Sequence, residues 1–271
     1  MNKYETFVTS KGIRMNVIGM VRYSVDAAFA KDHPDKCFKL WEEPYFTERL
    51  AMFKAITLRS FAQQTNKSFV LLVYHSVNMP DDKKAIFMNL AKEFSFMRNV
   101  FISGAKMEIP DDLRQRRLLT FRIDNDDGVP TDFIDKLMTI YRQEGEFYDN
   151  VALTIPRIRK IAHISADKYQ TDHSIFAANA IGLAYLSTDG ENIMNCGNHR
   201  LVPYHYRTLF LEGTGGLQVI HGTNVANGFK KVYDKKSVME ILSEKEMRDL
   251  LTLEGYPDMD IDEIPILPQP Y

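Results

Sequence analysis

Cysteine is nearly absent from this sequence. Only Cys37 and Cys196 occur among 271 residues. That excludes a disulfide framework, and their separation fits no zinc-binding spacing. A reducing compartment is the expectation. An excess of one charge is also missing. The formal net charge is -2, without the basic surplus that nucleic-acid binders carry. No apolar run approaches the length needed to cross a bilayer. Residues 1–21 hold no charged region followed by a long apolar core, so no signal peptide is read there. The expected location is the cytoplasm, with at most a peripheral hold on the inner face of the membrane. Three enzyme signatures are lacking as well: GxxxxGK[ST], GxSxG and HExxH. Their absence weighs against an ATPase, a serine hydrolase and a zinc protease. There is no internal repeat and no low-complexity segment.

What is present suits a globular chain with a real core: 45% hydrophobic and 26% charged residues. The length fits one large domain. Residues 15–25 read as a buried strand, short, apolar and rich in β-branched side chains. Residues 47–65 read as a helix with Thr47 as its cap and Leu50, Phe53, Ile56 and Ala62 on its apolar face. Strands follow at 68–77 and 100–103, with a helix at 80–94 between them. Pro80 and two aspartates stand in that helix's first turn, where the dipole favours negative charge. A short helical turn precedes another strand at 118–123. Alternating strands and helices with near-continuous apolar strands predict an α/β layered sheet, parallel at its centre. Beyond residue 150 the pattern weakens into strands, then a helix over 237–255. Ser237 and Glu240 there suit a capping box. In open parallel sheets, ligands bind at the carboxyl ends of the strands. Arg22, His75 and a group of carboxylates all fall at such ends.

That group is the most unusual stretch of the chain. Asp124, Asp126 and Asp127 lie within four residues, after an apolar strand and before Gly128 and Pro130. Crowded carboxylates repel each other and take up protons unless a cation sits among them. A solvated turn is one reading, since Asp, Asn and Gly fill turns anyway. A calcium loop is a second. Asp124, Asp126, Asp132 and Asp135 have suitable offsets, but the glycine is one place early, the last ligand is not Glu, and no helix precedes. The third is a divalent-metal site serving a nucleotide diphosphate, since hard oxygen ligands suit manganese or magnesium.

Four segments in order carry a resemblance that favours the third reading. They are MVRYSV, ERLAMFKAITLRSFAQQTNKSFVLLVYHSVNMP, LLTFRIDNDDGVPTDFI and LQVIHGTNVANG. Together they span about residues 18 to 228. The chain resembles the putative rhamnosyltransferase family of bacteria, nucleotide-sugar glycosyltransferases of the GT-A fold, and FRIDNDDG is similar to their Asp-X-Asp motif. The resemblance implies a single GT-A-like domain, Rossmann-type and mostly parallel. About 15–150 would be the nucleotide-sugar-binding half and about 151–236 a mixed acceptor-side half, with 237–271 a C-terminal helix and tail. It implies Mn2+ or Mg2+ as cofactor, a nucleotide-sugar donor, and a glycan or lipid-linked acceptor. By the same resemblance, Asp126, Asp127 and His221 would face the metal. Asp124 would contact the ribose or metal, and Arg22, Arg122 and His199 would line the donor site. Arg122 alternatively pairs with the aspartates.

The implied reaction transfers a sugar, rhamnose by the family name, to a hydroxyl. An inverting enzyme needs a general base near that hydroxyl. Asp189, Glu191 and Glu212 are available in the second half, and Asp189 is the choice. The basic stretch 227–236 would suit an anionic membrane or a lipid-linked acceptor. Two other readings stay open. One is a catalytically silent module of this fold that binds a carbohydrate or a protein. The other is a metal-dependent nucleotidyl or phosphoryl transferase using the same carboxylates.

Overall fold

Apolar runs buried on both faces form the centre of the structure. The computed structural model describes residues 7–8, 14–25, 40–115, 117–140, 150–176, 179–222 and 240–267. Its strands in chain order are β1 Phe7–Val8, β2 Arg14–Ser24, β3 Val70–Ser76, β4 Met97–Ile102, β5 Leu118–Ile123 and β6 Val151–Thr154. Then follow β7 Arg157–Ser165, β8 Lys168–Ile175, β9 Ala184–Ser187, β10 Thr208–Phe210, β11 Thr214–Val219 and β12 Glu240–Ser243. The larger sheet has the order β10-β6-β9-β5-β2-β3-β4, with β1 paired to β2. From β5 through β2 and β3 to β4 the strands are parallel. β9 runs against both β5 and β6, and β10 is parallel to β6. A second sheet, β11-β7-β8-β12, is mixed. The expected architecture, a mostly parallel α/β layered sheet with a mixed region from the second half of the chain, is the observed one. The strands after residue 150 divide between the two sheets.

The first helical segment lies between the sheets. It runs from a helix Tyr45–Met52 through a π-helical stretch Phe53–Leu58 to a helix Arg59–Ala62. Phe46, Phe53, Leu58 and Phe61 pack against the larger sheet's core. Met52, Ala55 and Ile56 pack instead with Leu217 and Val219 of the second sheet. The wider π turn breaks the 3.6-residue spacing. Phe61 therefore takes a buried place, and Ala62, read as apolar face, is exposed. The helix also begins earlier than expected. Thr47 is inside it, and its hydroxyl donates to Glu43 Oε2 at 2.6 Å.

Other local readings shift in the same modest way. The helix Asp81–Glu93 carries Asp81 and Asp82 in its first turn and buries Phe87 and Leu90. The capping box of the last helix, Glu244–Leu253, is Ser243 with Glu246 rather than Ser237 with Glu240. The sequence offers two S-x-x-E patterns six residues apart, and Glu240 belongs to β12. His75 is fully buried in β3, with Nδ1 3.2 Å from Ser24 Oγ and Nε2 3.1 Å from Asn99 Oδ1. Burial pushes its pKa down to about 3, so it is a neutral core group. Cys37, Ser237 and the basic stretch 227–236 lie outside the described residues. Among the described residues no helix is long and apolar enough to cross a membrane.

Gly19 shows how tightly the side chains of the two strands flanking β2 close over it in one layer. A Cβ there would stand 2.5 Å from Phe121 Cζ and 2.6 Å from Leu71 Cδ1. Both neighbours are fully buried. Gly19→Ala is expected to cost about 1–3 kcal/mol through overpacking, read as a lower midpoint in denaturant unfolding. An unchanged midpoint would mean that the layer has room to give.

Candidate active site

β5 stops at Ile123, and the chain turns over Asp124 to Asp127. Because the strand does not persist to Asp126, the aspartates leave it in different directions. Asp124 turns toward Arg122, with Oδ1 3.9 Å from Nη2. Asp126 turns toward His221, whose Nε2 lies 2.8 Å from Oδ2. Asp127 turns inward and is 2% exposed. Its Oδ1 accepts from the Val219 amide at 3.3 Å, and its Oδ2 is buried without a partner.

The second sheet holds this turn in place. Gly128 and Leu217 exchange two backbone hydrogen bonds, each 2.9 Å. β11 is thereby fixed beside the turn, and His221 follows two residues after the amide that Asp127 binds. From below, Thr57 in the π-helical stretch donates to the Asp127 carbonyl at 2.8 Å. π turns of this kind recur at functional sites.

A cationic corner adjoins the carboxylates. Side chains alternate along a strand, and Met20 pairs with Arg122 across β2 and β5. Arg22, two residues on, therefore shares the face of Arg122 and Asp124. Arg22 is exposed, while the Arg122 side chain is 15% exposed with a buried, unpartnered Nε. Burial lowers the Arg122 pKa; Asp124 raises it, and Arg22 lowers it. His199 stands in the same field. Burial pushes its pKa down to about 4, aided by Arg122 and Arg200, so it is neutral near pH 7.

The structure thus brings Arg22, Arg122, Asp124 and His199 to one side of the turn, and Asp126 and His221 to the other. It does not bring Asp189 there. β9 is antiparallel to β5 and pairs Ser187 with Leu118, at the start of β5. Six residues of strand, about 20 Å, separate that end from Asp124. Asp189 instead accepts from Ser187 Oγ at 2.7 Å and from the Glu191 amide at 3.2 Å. The Ser187 bond, then the Glu191 amide, hold its pKa low. Glu212 does follow the carboxyl end of β10, which runs in the same direction as β5. The calcium-loop partners are engaged elsewhere, Asp132 with Lys136 and Asp135 with Thr65 and Asn66.

Two residues of the site lie outside the motifs of the sequence. One is Thr57. The other is Arg49, which is 7% exposed and donates through Nη2 to Asn125 Oδ1 at 3.0 Å. Its signal was available: an arginine inside the stripe Phe46, Leu50, Phe53, three and four residues from apolar neighbours.

The buried Asp127 gives a pH prediction. Burial, then Asp126 and Asp124, raise its pKa well above 3.8. The folded chain therefore keeps a proton that the unfolded chain releases. Its contribution to stability is full below the unfolded value and is lost as pH rises toward the folded one. Asp127→Asn cannot ionise, so it is expected to gain on the wild type as pH rises from acid to neutral. Thermal unfolding in metal-free buffer reads this. A difference that stays flat with pH would mean that Asp127 titrates normally.

Residues 16–231 match the model of a family described as putative rhamnosyl transferase. The chain matches no curated protein. Among solved structures it is similar to S. aureus TarS 1–349 in complex with UDP-GlcNAc, with a TM-score of 0.29 and 10% identity over 56% of this chain and 35% of that one. The same TarS fragment in complex with UDP gives 0.28 and 11%, over 56% and 36%. A longer TarS structure gives 0.28 and 12%, over 53% and 22%. The chain thus spans about a third or less of the TarS chains that it matches. The family match covers most of the chain, including Arg22, the aspartate turn and His221, and the chain belongs to the putative rhamnosyl transferase family.

Proposed function

We propose that this protein is a glycosyltransferase that moves a sugar from a nucleoside diphosphate to a hydroxyl of a glycan or lipid-linked acceptor. Rhamnose is the sugar that the family description supports. The observation that carries the reading is the contact of Asp126 with His221 at the carboxyl edge of parallel strands, beside the Arg22–Arg122 corner. Carboxylate and imidazole together suit manganese, and magnesium less well. These residues fit a divalent cation, with Asp126 and His221 as those that would hold it. Among the described residues no three His, Cys, Asp or Glu side chains converge on one point. Donor oxygens are then needed to complete the shell, and binding without nucleotide is weak.

In this reading each residue has a limited task. Arg22 and Arg122 bind the diphosphate and stabilise the negative charge that grows on it as the sugar bond breaks. Two arginines side by side are costly without an anion, which favours an anionic ligand. His199, neutral, borders that pocket and adds a hydrogen bond without a charge. Asp124 orients Arg122 and reaches for the ribose. Asp127 keeps its proton and holds β11 in place. A cation bound at Asp126 and His221 would supply further positive charge to the leaving group.

Incubation with manganese and a panel of nucleotide sugars, with nucleoside diphosphate release as the readout, tests the reading. Turnover is expected with manganese and not after chelation. Asp126→Asn and His221→Ala are expected to remove it while the fold stays intact, and Asp127→Asn to lower it less. A folded Asp126→Asn variant with wild-type turnover would sink the mechanism. Release of pyrophosphate rather than a nucleoside diphosphate would point to nucleotidyl transfer.

A further inference from the structure

Arg49 occupies a costly place. A guanidinium almost removed from water needs full compensation, yet its Nη1 is buried and unpartnered. What it does have is specific. Nη2 donates to the Tyr23 carbonyl at 2.6 Å and to Asn125 Oδ1 at 3.0 Å. The guanidinium also lies 4.8 Å from the Tyr23 ring centre and 5.1 Å from that of Tyr45. One side chain therefore ties three elements together: the helix Tyr45–Met52, the carboxyl end of β2, and the turn after β5. Asn125 is itself nearly buried. It is the residue between Asp124, which points to Arg122, and Asp126, which points to His221.

A buried charge adds little net stability compared with a well-packed apolar group. Its use is geometric. We infer that Arg49 is a positioning residue: by holding Asn125 it sets the directions of Asp124 and Asp126, and so prepares the cation site before donor binds. The inference rests on the reading of Asp126 and His221 as the cation's ligands. Residues that orient metal ligands typically change affinity or activity about 10- to 100-fold when lost. Lysine is a poor replacement here, because a compact ammonium lacks the planar guanidinium that lies against the Tyr23 and Tyr45 rings while Nη2 donates to both acceptors.

The test uses the full chain and manganese as the probe. The manganese concentration for half-maximal nucleoside diphosphate release, kcat and the unfolding midpoint are measured for wild type, Arg49→Lys, Asn125→Ala and the double variant. Each single variant is expected to raise the half-saturating manganese concentration about 10- to 100-fold, with a smaller change in kcat. The double variant is expected to be no worse than the weaker single, since both cut the same link. Single variants with a wild-type manganese response, or a double variant in which the effects multiply, would overturn the positioning role. Should Arg49→Lys unfold, Asn125→Ala carries the test alone, because it leaves the Arg49–Tyr23 bond in place. A wild type with turnover but no manganese response overturns the cation reading and this inference with it. A manganese-dependent wild type with unaffected variants overturns only the inference.

Discussion

The pair of hydrogen bonds between Gly128 and Leu217 is the join on which the site depends. It is an isolated bridge between two sheets that otherwise have separate ladders. Without it the carboxylate turn would belong to the larger sheet alone, and His221 to the second. The join leaves little room for side chains. A Cβ on Gly128 would meet Met259 at 3.2 Å and Ile56 at 3.4 Å. Asp127 strengthens the same join from inside by accepting the Val219 amide. Backbone pairing here does what a longer loop could not, since it fixes two residues about a hundred positions apart to within a hydrogen bond.

The same join explains how three aspartates can stand together. Each is relieved in a different way. Asp124 faces an arginine, Asp126 faces a histidine, and Asp127 is buried so deeply that its pKa is pushed up, which favours the neutral form. Charge is thereby divided among separate partners rather than stacked in one place. That division also separates two kinds of chemistry. In the proposed function the Arg22 side takes the anion and the His221 side the cation, with the turn between them.

The layered sheet and the position of the carboxylates were legible, for physical reasons. Strands covered on both faces must be continuously apolar, and the breaker Gly128 and Pro130 marked the end of β5. Arg22 and the aspartates then had to share an edge, because their strands are parallel. The sense of β9 was not legible. A four-residue apolar run reads the same in either direction, and its reversal carries Asp189 to the far edge. The last helix misled for another reason, since two S-x-x-E patterns compete and only tertiary pairing of β12 decides between them. The meeting of Asp126 with His221 came from resemblance, because no local pattern records a contact across so much sequence.

Burying Asp127 rather than an apolar residue has a consequence for ligand order. Burial raises the Asp127 pKa and so favours a neutral carboxyl beside the Asp126–His221 pair. In the proposed function a free cation would meet Asp126 and His221, too few ligands for tight binding by a hard ion. In the proposed function a diphosphate would bring the missing oxygens, and Arg22 and Arg122 would hold its remaining charge. On that proposal cation and donor would each bind weakly alone and strongly together, a coupling that must be equal in both directions. Such a site would stay open until the whole donor is present, and its selectivity would be for the complex of nucleotide sugar and cation rather than for either part.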